Sequence, residues 1–297
     1  MTTSPTATLP RTDPAEKNTA IVIGTFLVLS TLGFTIVHHV FPGVFDVPRD
    51  PPHRFDSFSF MLVVDLFTMF LAWLCFRHAQ KRLGLYPAML FLGGSFIFTG
   101  LEESMWILLG RYQEQIRAWS NGAENAALGP GAAEVSGTYY FTRGFFWWLE
   151  TPLLACLGWF FVAYACVYVA QILMPKARVV SRAALGGFLA MDLDLWLDPV
   201  QTHETWRAWV WAGADRVNIF SIPLSNFMGW FLLIFLFAIV FERLDGMKRR
   251  HGPAKAAVRF YLILIALEFG ILVFFAVYGA VIMRLLPQPV NLTVWGI

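Results

Sequence analysis

Seven apolar runs, each close to the length of a bilayer-crossing helix, set what this chain can fold into. They occupy residues 19–41, 57–76, 87–109, 144–173, 181–199, 221–242 and 257–284 of a 297-residue sequence. A helix needs about 20 residues to cross roughly 30 Å of hydrocarbon, where only a helix or a closed barrel satisfies its own backbone. The composition agrees: 57% hydrophobic and 14% charged residues exceed the apolar share of a soluble domain, so water is not the main solvent. The expected fold class is all-α, a polytopic integral membrane protein of about seven transmembrane helices forming a single domain over residues 19–284. Residues 1–18, rich in Thr, Pro and Ala, read as a disordered tail, and residues 285–297 as a short tail after the last span. The first run is longer than the apolar region of a secretory signal, so it reads as an uncleaved helix.

Between the runs, FPGVFDVPRDPPHRFD, RHAQKRLGLYP and RLDGMKRRHGPAK carry the Pro, Gly and charge expected of connections. The longest connection, 110–143, is rich in Gly, Ala and Asn and is expected to fold over the membrane surface. Of the 22 Lys and Arg, 14 fall in the first tail, in connections 2–3, 4–5 and 6–7, or, as Arg182 and Arg259, at the run ends beside them. Basic residues collect on the cytoplasmic side, so the N-terminus is expected inside and the C-terminus outside a cell (inner) membrane. The clusters Arg77-Lys81-Arg82 and Lys248-Arg249-Arg250 carry most of that bias and suit lipid headgroups. A net charge of +2 gives no case for nucleic acid. Cys75, Cys156 and Cys166 lie inside apolar runs without a CxxC pair and read as small buried hydrophobes.

Chemistry is expected where ionisable groups interrupt hydrocarbon, because such groups are costly there unless they face a partner or a wet cavity. Asp65, Glu102, Glu103, Glu150, Asp192, Asp194, Asp198 and Glu268 fall within the runs. Asp194 and Asp198 are four residues apart and share one helix face, whereas Asp192 lies about 160° away. Pro199 disfavours helical geometry at Asp198, so the helix is expected to end at that carboxylate. Trp206, Trp209 and Trp211 follow at the height where Trp anchors in headgroups, or as an aromatic lid whose faces steady a cation. Pro223 opens the sixth run, and Asn226, about one turn later, is expected to face the interior and hydrogen-bond there.

The run LDPVQTHETWRAWVWAGADRVNIFSIPLSNFMGWF, residues 197–231, resembles the signature of the membrane carotenoid biosynthesis family that includes the bisanhydrobacterioruberin and gamma-carotene hydratases. That pattern has an LDPV-like segment, a Trp-rich stretch and an IPLSNFxGW-like segment, in this order. A weaker likeness lies upstream, in Glu102 or Glu103 before Gly110-Arg111-Tyr112 and in ETPLLACLGWFFVAY. Where the family usually has an aromatic-Gly pair before its Ile-Pro, this chain has Phe220-Ser221.

The resemblance implies addition of water across the terminal double bond of an acyclic carotenoid, giving a tertiary alcohol without a redox cofactor. Such a step needs a proton donor for the alkene, a surface that tolerates a tertiary cation, and a base that positions water. Desolvation raises a carboxyl pKa in the direction an acid requires, and an ionised carboxylate serves as base. The expected catalytic residues are Asp194 and Asp198, with Glu102 or Glu103 as partner and Asn226 as orienter. Trp196, Trp206, Trp209, Trp230 and Pro223 are expected to line the substrate path. The expected partners are a long polyene or isoprenoid lipid, membrane lipid, and a pigment-protein complex. The alternative is a non-catalytic carotenoid-binding or assembly subunit, which has little reason to bury so many acids. No metal is expected: the six histidines form no HxxxH or HxxHH box, which argues against a membrane di-iron hydroxylase. Asp194-x-x-x-Asp198 has no second acidic motif of the kind a Mg²⁺-dependent prenyltransferase uses.

Overall fold

The computed structural model describes residues 13–45, 58–108, 139–203, 206–211, 216–286 and 288–292. Most of the expected N-terminal tail, residues 109–138 of the long connection with Gly110-Arg111-Tyr112, and the last five residues lie outside the described residues. The helices are α1 (Pro14–Val40), α2 (Phe58–Leu83), α4 (Leu153–Leu173), α5 (Val179–Thr202), α6 (Leu224–Phe241), the short α7 (Leu244–His251) and α8 (Pro253–Leu285). Between α2 and α4 runs α3 (Leu85–Leu108). The protein is thus an all-α polytopic membrane protein.

Among the described residues, six helices are long and apolar enough to cross a bilayer, one fewer than the seven runs suggested. The exception is α5. Its 24 residues span about 36 Å at roughly 1.5 Å per residue, so length is not the obstacle. Arg182, Asp192, Asp194 and Asp198 lower its hydropathy instead, and it packs between α4 and α6.

Side-chain contacts fix how the helices alternate. At one end of the molecule, Lys248 pairs with Glu16 at 2.9 Å and Arg182 with Glu242 at 2.5 Å. Arg82 donates to Gln171 over 2.5 Å, and the Tyr86 hydroxyl donates to the Pro253 carbonyl over 2.7 Å. The starts of α1, α3, α5 and α8 and the ends of α2, α4 and α6 therefore share one face. At the opposite end, His38 and His39 of α1 bond the carbonyls of Leu149 and Phe145, and Asp65 of α2 accepts from the Phe145 and Phe146 amides. Asp65 and Glu150 are accordingly held where chain connections pack.

Sequence punctuation sets some helix ends differently from hydropathy. Helix α1 begins at Pro14, with Asp13 as N-cap accepting from Ala15 at 2.9 Å; a capping Asp followed by Pro is a strong helix opening. The fourth run does not begin as helix at 144. Residues 144–152 form a tight turn in which β2 (Trp147–Trp148) pairs with β3 (Thr151–Pro152). Leu149 there has φ 57°, outside helical geometry, and α4 starts only after Pro152. Other short strands gather at this end. Strand β1 (Tyr139–Phe141) pairs antiparallel with β4 (Trp209–Trp211). Strand β5 (Val217–Ile219) pairs antiparallel with β6 (Ile222–Pro223) and parallel with β7 (Val290–Leu292). In the β5–β6 turn Ser221 has φ 66°, a left-handed conformation that costs glycine least.

Packing in the helical layer is aromatic and close. Phe91 of α3 meets Phe237 and Phe241 of α6 at centroid distances of 4.6 and 4.9 Å. The Gly186-Gly187 pair brings α5 against its neighbours: a Cβ on Gly187 would lie 2.7 Å from the Phe231 carbonyl oxygen. Small residues permit such approach where lipid supplies no hydrophobic drive between helices.

Candidate functional site

The end of α5 carries the acids. Asp194 and Asp198 share a face and are each 1% exposed, while Asp192 points outward. Contrary to expectation, the helix does not stop at Asp198; it runs through Pro199 to Thr202. The Thr202 hydroxyl bonds the Asp198 carbonyl at 2.9 Å, so the last turn closes with side-chain help. Across the interface, Pro223 caps α6, which places Asn226 in the first turn. Asn226 Nδ2 donates to Asp194 Oδ2 at 2.6 Å and to Asp198 Oδ2 at 2.8 Å. One amide thus bridges both carboxylates with its two hydrogens, and Trp209 Nε1 donates to the other oxygen of Asp198 at 2.6 Å.

The strands close the site from above. Register places Tyr139 opposite Trp211 and Phe141 opposite Trp209. The Tyr139 hydroxyl donates to Glu103 of α3. Burial pushes the Tyr139 phenol well above its ordinary pKa, so it remains a proton donor to Glu103. Trp206 is tied down on both sides, its indole donating to Gln201 and its carbonyl accepting from Arg143.

Helix α3 delivers its two glutamates through a change of winding. Residues Phe96–Leu101 form a π-turn, a feature often found at functional sites because one extra residue per turn re-aims the side chains beyond it. Gly100 in this turn packs on the Trp148 ring, which a Cβ there would approach to 2.3 Å.

Two cavities meet at these groups. The larger, about 280 Å³, is walled by Glu103, Asp198, Tyr139, Trp159, Trp206, Trp209, Trp211 and Trp230, with Val64, Leu154, Val162 and Leu197 among its apolar residues. The smaller, about 60 Å³, borders Glu102, Glu103, Tyr139, Ser225, Asn226 and Gly229. Glu103, Tyr139, Trp159, Trp211, Asn226 and Trp230 belong to both walls.

The structure thus brings together Asp194, Asp198, Asn226, Glu103, Trp209 and Trp230, with Glu102 on the smaller cavity and Trp206 on the larger. Asp194 borders neither cavity; it holds Asn226 from behind. Pro223 is buried at the cap and borders neither. Trp196 does not belong with the group: it is 77% exposed, because two residues of helix turn it about 200° from Asp194 and toward lipid. Trp196→Ala is therefore expected to leave the activity of this site within about twofold of the unsubstituted protein, measured side by side in membranes. Sequence reasoning missed Tyr139 and Trp159. The aromatic pattern of TYYF against WVW was the available signal for strand pairing, but nothing local announced the partner of Glu103. Glu268 of α8 is fully buried and neither carboxyl oxygen has a hydrogen-bond partner among the described residues. It borders neither cavity.

A profile of the family described as "Carotenoid biosynthesis protein" matches residues 134–290. No curated protein and no solved structure matches the chain. The matched region spans more than half of the 297 residues and contains Tyr139, Asp194, Asp198, Trp209 and Asn226, whereas Glu102 and Glu103 precede it. The chain belongs to the carotenoid biosynthesis protein family.

Proposed function

We propose that this protein adds water across the terminal carbon–carbon double bond of an acyclic carotenoid, giving a tertiary alcohol. The observation that carries the reading is the meeting of two carboxylates from different helices, Glu103 and Asp198, on the wall of one aromatic cavity. At about 280 Å³ the cavity lies just below the roughly 300–1,000 Å³ of sites that enclose a whole drug-sized ligand. It suits the end of a long chain whose remainder lies in the bilayer.

In this reading Glu103 gives its proton to the alkene, whose π electrons form the new C–H bond and leave a tertiary cation. The faces of Trp159, Trp209 and Trp230 steady that cation once water is excluded. Asp198 takes a proton from the water whose oxygen forms the C–O bond; N–H donors on both of its oxygens hold it in place as base. Tyr139 orients Glu103, and Asp194 orients Asn226. The proton that Asp198 gains matches the one that Glu103 gives up, so passage of one proton from Asp198 back to Glu103 restores the site; the net change is addition of H₂O, and no oxidant or reductant is consumed. The basic face of the molecule, by the distribution of Lys and Arg, faces the cytoplasm, which sets the acids in the outer half of a cell membrane.

The test is to express the protein in cells that accumulate lycopene and to analyse extracted pigments by chromatography and mass spectrometry. The expected product is heavier than lycopene by one water. Lycopene that copurifies unaltered with the protein would instead support a carotenoid-binding subunit.

A further inference from the structure

The smaller cavity differs from the larger in size and lining. A buried water needs roughly 10–15 Å³ of room and two to four polar partners, so a chamber of about 60 Å³ holds a few waters and no part of a polyene chain longer than its tip. Glu102, Glu103, Ser225 and Asn226 give it polar groups beside Trp106, Trp230, Leu233 and Phe275, and Glu102 and Ser225 belong to it alone; its larger neighbour carries the greater share of aromatic and aliphatic wall. Glu103 and Asn226 stand in the partition between the two. Gly229, one turn beyond Asn226 on α6, also borders the chamber, and a Cβ built there meets only Phe275, at 3.8 Å. The lack of a side chain at 229 thus keeps space open without being required by backbone contact.

We infer that the site has two compartments: the smaller chamber holds the water that is added, and later the hydroxyl of the product, while the larger cavity takes the hydrocarbon end. This rests on the hydratase reading for the identity of the reaction, but the chamber's affinity for a hydroxyl oxygen is separable from turnover. The oxygen leaves the chamber past Asn226 and the alkene comes from the Trp209 side; because Asp198 lines only the larger cavity, the water meets that base and the alkene where the two compartments join, between Glu103 and Asp198.

The experiment uses the full chain in lipid nanodiscs, with Gly229→Ala, Gly229→Leu and, as a control, Gly270→Leu, whose added side chain begins in open space. Turnover of lycopene is measured beside the binding of lycopene and of its tertiary-alcohol product, read from pigment absorbance. Gly229→Leu plugs the chamber and is expected to lower turnover by about 10²-fold, the order that a small misplacement of reactants costs, with Gly229→Ala in between. Lycopene binding should stay within about twofold, and alcohol binding should weaken about fivefold to tenfold as its hydrogen bonds are lost. Gly270→Leu should change none of these. Gly229→Leu with unchanged alcohol binding would overturn the inference, as would unchanged turnover. If the unsubstituted protein makes no alcohol yet Gly229→Leu still selectively weakens alcohol binding, the chamber stands as a hydroxyl site and the hydratase reading falls.

Discussion

Asp198→Asn is expected to reduce hydration by about 10²–10⁴-fold, the usual contribution of a positioned acid or base, at unchanged protein level in the membrane. The amide has nearly the shape of the carboxylate but cannot take a proton from water. It also meets donors on both sides. Trp209 Nε1 points at one oxygen and Asn226 Nδ2 at the other, so the new NH₂ must face one of them. A buried donor left without an acceptor costs about 1–3 kcal/mol, less if Asn226 turns its amide. Asp194→Asn should cost less activity, because Asp194 touches neither cavity and acts through Asn226. Single-turnover rates on membranes with equal protein content separate the two. An Asp198→Asn variant that hydrates at the normal rate would remove this carboxylate from the chemistry.

Gly187→Ala is expected to lower both stability and turnover although residue 187 touches neither cavity. Its Cβ would sit 2.7 Å from the Phe231 carbonyl oxygen and 2.9 Å from the Phe231 ring. The carbonyl belongs to the backbone of α6 and cannot swing aside, so α5 and α6 must part. Overpacking of this kind costs about 1–3 kcal/mol. The same two helices hold Asp194 and Asp198 against Asn226 at 2.6 and 2.8 Å, bonds that a shift of a few tenths of an ångström weakens. Thermal unfolding in detergent should show a lower midpoint, and turnover should fall in parallel. Gly270→Ala, with nothing near its Cβ, should leave both unchanged.

The parts of the site legible in the sequence are those that depend on helix period alone. Spacing put Asp194 and Asp198 on one face and Asp192 on the other, and the exposures follow that pattern. The same arithmetic also sends Trp196 to lipid; grouping it with the nearby tryptophans by proximity in sequence ignored the helix. Asn226 was legible because a lone amide inside an apolar run needs an interior partner. Three features depended on tertiary context. The π-turn in α3 leaves no local mark in FIFTGL. The helix continues through Pro199 because the packed surroundings of α5 hold the turn that an isolated peptide would lose. The turn at 144–152 is as aromatic as the helix after it, so hydropathy merged the two, and only Gly144 and Pro152 marked the boundary.

The most direct test of the account is to supply purified protein in nanodiscs with lycopene in ¹⁸O-labelled water, and to weigh the product by mass spectrometry. The account predicts an alcohol whose new oxygen is fully ¹⁸O, formed equally well without molecular oxygen. An alcohol carrying unlabelled oxygen, or one formed only in air, would contradict it.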